Sequence, residues 1–173
     1  MTCITSARQA TCPRWGCDVT TIIANANIRQ LAMGIKVDRV TSTLPASTDL
    51  TIFTVSGGRI ILTSLVGEVT TIIQAQANAI KIKSVPTTGT SKDISGTLDI
   101  NAFEVGALIS LDGTALSTAL SGTNAGAALS LTRGGLVIPI GGIKLNTAAT
   151  NTGAIKWSMT YVPYENGSQV VAA

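Results

Sequence analysis

The stretch from Thr51 to Ile73, TIFTVSGGRIILTSLVGEVTTII, constrains the fold more than any other part of the chain. It holds two runs of strand-forming residues, Ile52 to Val55 and Arg59 to Ile73, separated by the turn signal Ser56-Gly57-Gly58. The second run is rich in Ile, Leu, Val and Thr, the residue types that suit a pleated, half-buried surface. Gly57, Gly58 and Gly67, with a Thr-rich tail, argue against a helix. Apolar groups fall on both parities of the second run, with Ile61, Leu65 and Val69 against Ile60, Leu62 and Val66. That pattern predicts a strand covered on both faces, by a second sheet on one side and by another element on the other. The stretch is expected to form the central hairpin of a β-sandwich.

The remainder of the chain from Ile35 repeats the β pattern. Ile35 to Asp38 alternates, and Leu44-Pro45-Ala46-Ser47 turns the chain toward the central run. In Asn78 to Val85, Ile80 and Ile82 are expected to point inward and Lys81 and Lys83 outward. Thr97 to Ile100 and Val105 to Leu111 read as a further pair, followed by the tight-turn dipeptide Asp112-Gly113. Ala115 to Leu131 is Ala-rich, but Gly122 and Gly126 interrupt it, and it is assigned to two short strands around a Gly-Thr-Asn-Ala-Gly loop. Leu136 to Leu145 is expected to be one strand bent at Gly141-Gly142. The cleanest alternation comes last: Ile155, Trp157, Met159 and Tyr161 on one face, proposed as core anchors, with Lys156, Ser158 and Thr160 on the other. Pro163 closes it and residues 164–173 read as a tail. The strand count and spacing describe an all-β, two-sheet antiparallel sandwich, jelly-roll-like, over residues 35–173.

Residues 1–34 differ in kind. They hold all three cysteines (Cys3, Cys12, Cys17), Trp15, and Arg8, Arg14 and Arg29 against a single acid, Asp18. The first part shows neither a helical nor a strand period and reads as an extended N-terminal arm. A short helix through Ile22, Ile23, Ile28 and Leu31, capped by Asp18 or Thr20, is expected to stop at Gly34. An arm without a core of its own is either a disordered terminus or lies across a neighbouring subunit.

Function classes narrow by exclusion. With 173 residues the chain builds one domain, and 45% hydrophobic against 12% charged residues leaves apolar surface that other protein chains are expected to cover. The mean hydropathy of +0.41 agrees with that. No run approaches the ~18–20 apolar residues of a bilayer span, and Met1 is not followed by the basic patch and apolar region of a signal peptide. A net charge of +3, dispersed, without a basic groove or stacking aromatics, gives no basis for nucleic-acid binding.

The absence of histidine removes the commonest general base and metal ligand. The cysteine spacing fits neither a redox C-x-x-C nor a zinc knuckle. Asp93 and Asp99 read as ordinary solvated acids. Ser56-Gly57-Gly58 and Arg133-Gly134-Gly135 lack the lysine and following helix of a phosphate loop. Asn166-Gly167-Ser168 matches a glycosylation acceptor by coincidence. No catalytic, cofactor or metal site is expected, and the chain reads as a non-enzyme. Two readings stay open for the cysteines: reduced thiols in a loose arm, or interchain disulfides, with a Cys12–Cys17 loop over Trp15 and Cys3 reaching a neighbour.

The segments TIFTVSGGRIILTSLVGEVTT, GTLDI, ALISLDGTAL and NTGAIKWSMTYVPYENGSQVVAA resemble a group of small virion proteins of tailed bacteriophages, over roughly residues 50–173. The resemblance implies a β-rich structural protein similar to capsid decoration (cement) proteins. Such proteins are commonly trimers that clasp the shell beside the major capsid protein, often through N-terminal arms. Under that reading Arg8, Arg14 and Trp15 are arm contacts. A phage tail or fibre component that binds a host receptor or carbohydrate is the alternative. With only two Trp, two Tyr and two Phe in the chain, it has few aromatics for a sugar platform.

Overall fold

The computed structural model of the protein describes residues 25–111, 120–123 and 135–173. One helix, α1 (Asn25–Met33), precedes thirteen described strands. They are β1 (Ile35–Asp38), β2 (Ser42–Thr43), β3 (Asp49–Ser56), β4 (Ile60–Thr71), β5 (Ala79–Pro86), β6 (Lys92–Asp93) and β7 (Leu98–Asp99). Then follow β8 (Leu108–Leu111), β9 (Leu120–Thr123), β10 (Leu136–Ile138), β11 (Gly141–Thr147), β12 (Ala154–Pro163) and β13 (Gln169–Ala172).

The strands form two antiparallel sheets packed as a sandwich. One is seven-stranded, in the order β1-β12-β4-β8-β9, with β2 also on β12 and β10 also on β4. The other is six-stranded, in the order β13-β3-β11-β5-β6, with β7 also on β5. Early strands pair with late ones in nested fashion: β3 with β13, β4 with β12, β5 with β11. This nesting is the jelly-roll-like feature of the sandwich. The core between the sheets is filled by Trp157, Phe53, Ile52, Ile60, Leu62, Leu65, Ile80, Ile82 and Ile109, all fully buried.

The stretch expected to be a hairpin is instead an arch. β3 and β4 lie in opposite sheets, and the chain crosses the sandwich at Gly57-Gly58. Each strand already has neighbours on both edges, β13 and β11 for β3, β12 and β8 for β4. Facing one another across the core, the two strands bury their apolar sides without pairing. Gly57 is required at the corner: its φ is 73°, and a Cβ there would overlap the Gly167 carbonyl.

The two-parity pattern of β4 also has a different cause from two-faced burial. Between the pairs Tyr161↔Leu62 and Thr160↔Ser64 the register shifts, leaving Thr63 as an extra residue. The inward set is therefore Ile60 and Leu62 before the bulge and Leu65, Gly67 and Val69 after it. Ile61 and Val66 stay half-buried on the outer face.

Other expectations change in the same way. Thr97–Ile100 and Val105–Leu111 contribute β7 and β8, which sit in different sheets and do not pair. The single bent strand over 136–145 is two strands, since the chain switches sheets at Pro139-Ile140. Gly122 and Thr123, assigned to a loop, continue β9. The rest of the 115–131 assignment lies outside the described residues. The presumed tail carries β13, which adds to the β3 edge and buries Val170. It shows no period because only four residues pair. As expected, α1 ends at Gly34, whose N–H donates to the Gln30 carbonyl at 3.0 Å with φ 98°. A Cβ at Gly34 would overlap the Tyr161 carbonyl, so glycine is also demanded by the close seat of the helix end on β12.

Candidate interaction surface

Among the described residues, no group of three or more His, Cys, Asp or Glu is placed to hold a metal ion. No described helix is long and apolar enough to cross a membrane. The described ionisable groups whose titration shifts serve structure. Asp38 accepts from Lys36 Nζ at 3.0 Å and from Ser158 Oγ at 2.6 Å, and these bonds hold its carboxyl below the usual range. For Asp49, burial pushes upward, but bonds from Asn146 Nδ2 at 2.6 Å and Lys83 Nζ at 3.1 Å together outweigh it and lower the value. Glu165 is lowered by the Arg59 backbone N–H at 3.0 Å and by the Arg59 side chain, Nε to Oε1 at 2.6 Å.

Asp93 pairs with Lys81 at 2.8 Å, and Asp99 accepts from the Asn78 and Asn101 backbone N–H groups, so neither is merely solvated. Arg39 is 7% exposed; its Nε donates to the Ala173 carbonyl at 2.8 Å and its Nη1 to Ser42 Oγ, and desolvation lowers its pKa. That contact ties the end of β1 to the end of β13 across the open side of the sandwich.

The residues singled out from sequence fall into two sets. Ile155, Trp157, Met159 and Tyr161 are buried side by side along β12. Tyr161 Oη also accepts from the Val170 N–H at 3.3 Å, linking the two sheets. Cys3, Cys12, Cys17, Arg8, Arg14 and Trp15 lie outside the described residues. Of the aromatics that a sugar platform would need, Phe103 packs against the core, while Tyr164 is exposed with the Arg59 guanidinium 5.1 Å from its ring centroid.

What sequence reading missed is the surface beside α1. The helix leaves large apolar residues exposed: Leu31 is 77% and Ile28 50% exposed, and Met33 is partly exposed at the rim of a cleft against the sheet. Its described attachments are the seat of Gly34 and a 2.8 Å bond from Thr63 Oγ1 to the Met33 carbonyl. Thr63 is the bulged residue, so the bulge that sets the core register of β4 also supplies the anchor for α1.

Between α1 and the seven-stranded sheet lies a cleft of about 510 Å³, with Met33, Val66 and Met159 among its apolar lining and Gln30, Lys36 and Ser158 among its polar lining. Alongside it, Val162, Ile61 and Val137 form one cross-strand row over β12, β4 and β10. Val162 and Val137 are exposed and Ile61 is half-buried. No signal in the local sequence marks this row, because its members come from three separate strands.

No protein-family model matches the chain, and neither does any curated protein or any solved structure.

Proposed function

We propose that this chain is a non-enzymatic structural protein of a phage virion, a decoration (cement) protein that binds the outer capsid surface as a trimer and stabilises it. Its partners are the major capsid protein and copies of itself, and its arm, residues 1–34, engages neighbouring subunits. It is made in the host cytoplasm and works on the capsid surface.

One observation carries the reading: α1, the end of the arm, leaves Ile28, Leu31 and Met33 exposed beside the row of Val162, half-buried Ile61 and Val137. Exposed apolar residues gathered at one place mark protein–protein contact. A closed homo-oligomer covers such a surface once per subunit. The quoted likeness to small phage virion proteins supports the same assignment. The sandwich supplies a rigid body, and the helix and arm supply the reach. The tail or fibre alternative needs exposed aromatics for a receptor or carbohydrate; Tyr164 is the exposed one among the described residues, and it is occupied by Arg59.

Sedimentation equilibrium tests the proposal. The full chain is expected to be a trimer at micromolar concentration. Leu31→Asp and Val137→Asp should shift it to a folded monomer, since both side chains are exposed on the single chain, with the concentration dependence of the melting temperature lost along with the trimer. Deletion of residues 1–34 should leave the sandwich folded and weaken both association and particle binding. A wild-type chain that stays monomeric, or a truncated chain that binds particles as well as the intact one, would refute the assignment. If the cysteines bridge chains, non-reducing gels of particles show species that collapse with reductant.

A further inference from the structure

The turn between β12 and β13 carries the only Asn-Gly pair in the chain, Asn166-Gly167. Both residues are exposed. The turn is closed around them by their neighbours: Ser168 Oγ donates to the Glu165 carbonyl at 2.6 Å, and the Ser168 N–H donates to the same carbonyl at 3.1 Å. The Asn166 side-chain amide and the Gly167 N–H take no hydrogen bond among the described residues. An asparagine followed by glycine, unbonded and wet, is suited to attack by the next backbone nitrogen, because glycine has no Cβ to obstruct it.

We propose that Asn166 is a site of spontaneous deamidation, and that its conversion loosens the turn that seats β13. Solvent base removes the Gly167 amide proton, and the nitrogen attacks Asn166 Cγ. The new N–Cγ bond closes a succinimide, and the side-chain nitrogen leaves as ammonia after taking a proton from water. Hydrolysis of the ring at either carbonyl then gives aspartate or isoaspartate. One water is consumed, one ammonia is released, and no oxidant is needed.

Both products damage the seat of the turn. Each adds a carboxylate next to Glu165, whose own carboxylate holds Arg59 at 2.5 Å. Isoaspartate also lengthens the main chain by one methylene, in a turn whose Gly167 carbonyl is pressed against Gly57 too closely to admit a Cβ. Beyond that turn β13 is an edge strand, held by four pairs with β3, one buried side chain, Val170, and single bonds from the Arg39 side chain to the Ala173 carbonyl and from the Val170 N–H to Tyr161 Oη.

The test is to age the intact protein in mildly alkaline buffer, map asparagine masses by peptide digestion, and follow amide exchange in β13. Asn166 is expected to convert before Asn101, which is also exposed but followed by alanine. Its products should include isoaspartate, and the Val170–Ala172 amides should exchange several-fold faster in the aged protein. Asn166→Gln should keep its amide and its slow exchange, while Asn166→Asp separates the added charge from the lengthened backbone. If Asn166 persists as long as Asn101, the site is refuted. If it converts while β13 exchange stays unchanged, its coupling to the strand is refuted.

Discussion

Trp157 on β12 pairs directly with Gly67 on β4, and its ring fills the space a side chain at position 67 would need. A Cβ on Gly67 would meet Trp157 Cζ3 at 2.9 Å and the Ile155 methyl Cγ2 at 3.1 Å. The largest buried side chain of the core is thus seated on a neighbour with none. Trp157→Ala empties that space and should cost about 3–5 kcal/mol. Gly67→Ala overfills it and should cost about 1–3 kcal/mol. Lys156→Ala, on the exposed face of the same strand, should change stability by less than about 0.5 kcal/mol. Urea unfolding of the three variants checks the order; a Gly67→Ala protein as stable as wild type would show that the ring lies elsewhere.

The arch between β3 and β4 gives a second expectation. At Gly57 any side chain combines a left-handed backbone with overlap on the Gly167 carbonyl. Gly57→Ala should lose at least about 1–3 kcal/mol, the range of a strained backbone residue. The midpoint of chemical denaturation reads it. An unchanged midpoint would mean the corner does not lean on the β12–β13 turn.

Acid should destabilise the fold in a defined direction. Asp38 and Asp49 have folded-state pKa values below the ordinary 3.8. A carboxylate with a depressed folded pKa contributes stability that is present above its unfolded pKa and lost as pH falls through the folded value. Stability should therefore hold from neutral pH down to the ordinary carboxylate range and decline below it. Asp49→Asn should lower stability at neutral pH and flatten the decline, since the titrating partner of Lys83 and Asn146 is gone. A variant with the same acid slope as wild type would remove Asp49 from the account.

The parts of the fold legible in the sequence are those whose signal is local. The alternation of Ile155, Trp157, Met159 and Tyr161 survives intact because no bulge interrupts their face before Tyr161. Ile80 and Ile82 against Lys81 and Lys83 is equally plain. Gly34 announces a helix end that the backbone then requires. What stays hidden is set by long-range choice. Ser56-Gly57-Gly58 reads equally as a hairpin turn or as a crossover, and only the competition of β11 and β12 for the edges of β3 and β4 decides between them. The bulge at Thr63 disguises one buried face as two, because it exchanges parity midway. The cleft beside α1 joins Met33 to Ser158 and Thr160, residues far apart in the chain. Ile28 and Leu31, placed by the sequence on a helix in an arm without a core of its own, are exposed.

The most direct test of the virion assignment is electron microscopy of phage particles from the lysate in which this chain is made, labelled with an antibody against the sandwich. The account predicts label distributed over the heads in register with the capsid lattice, and loss of that label when the chain lacks residues 1–34. Label confined to tail tips, or particles that carry none, would contradict it.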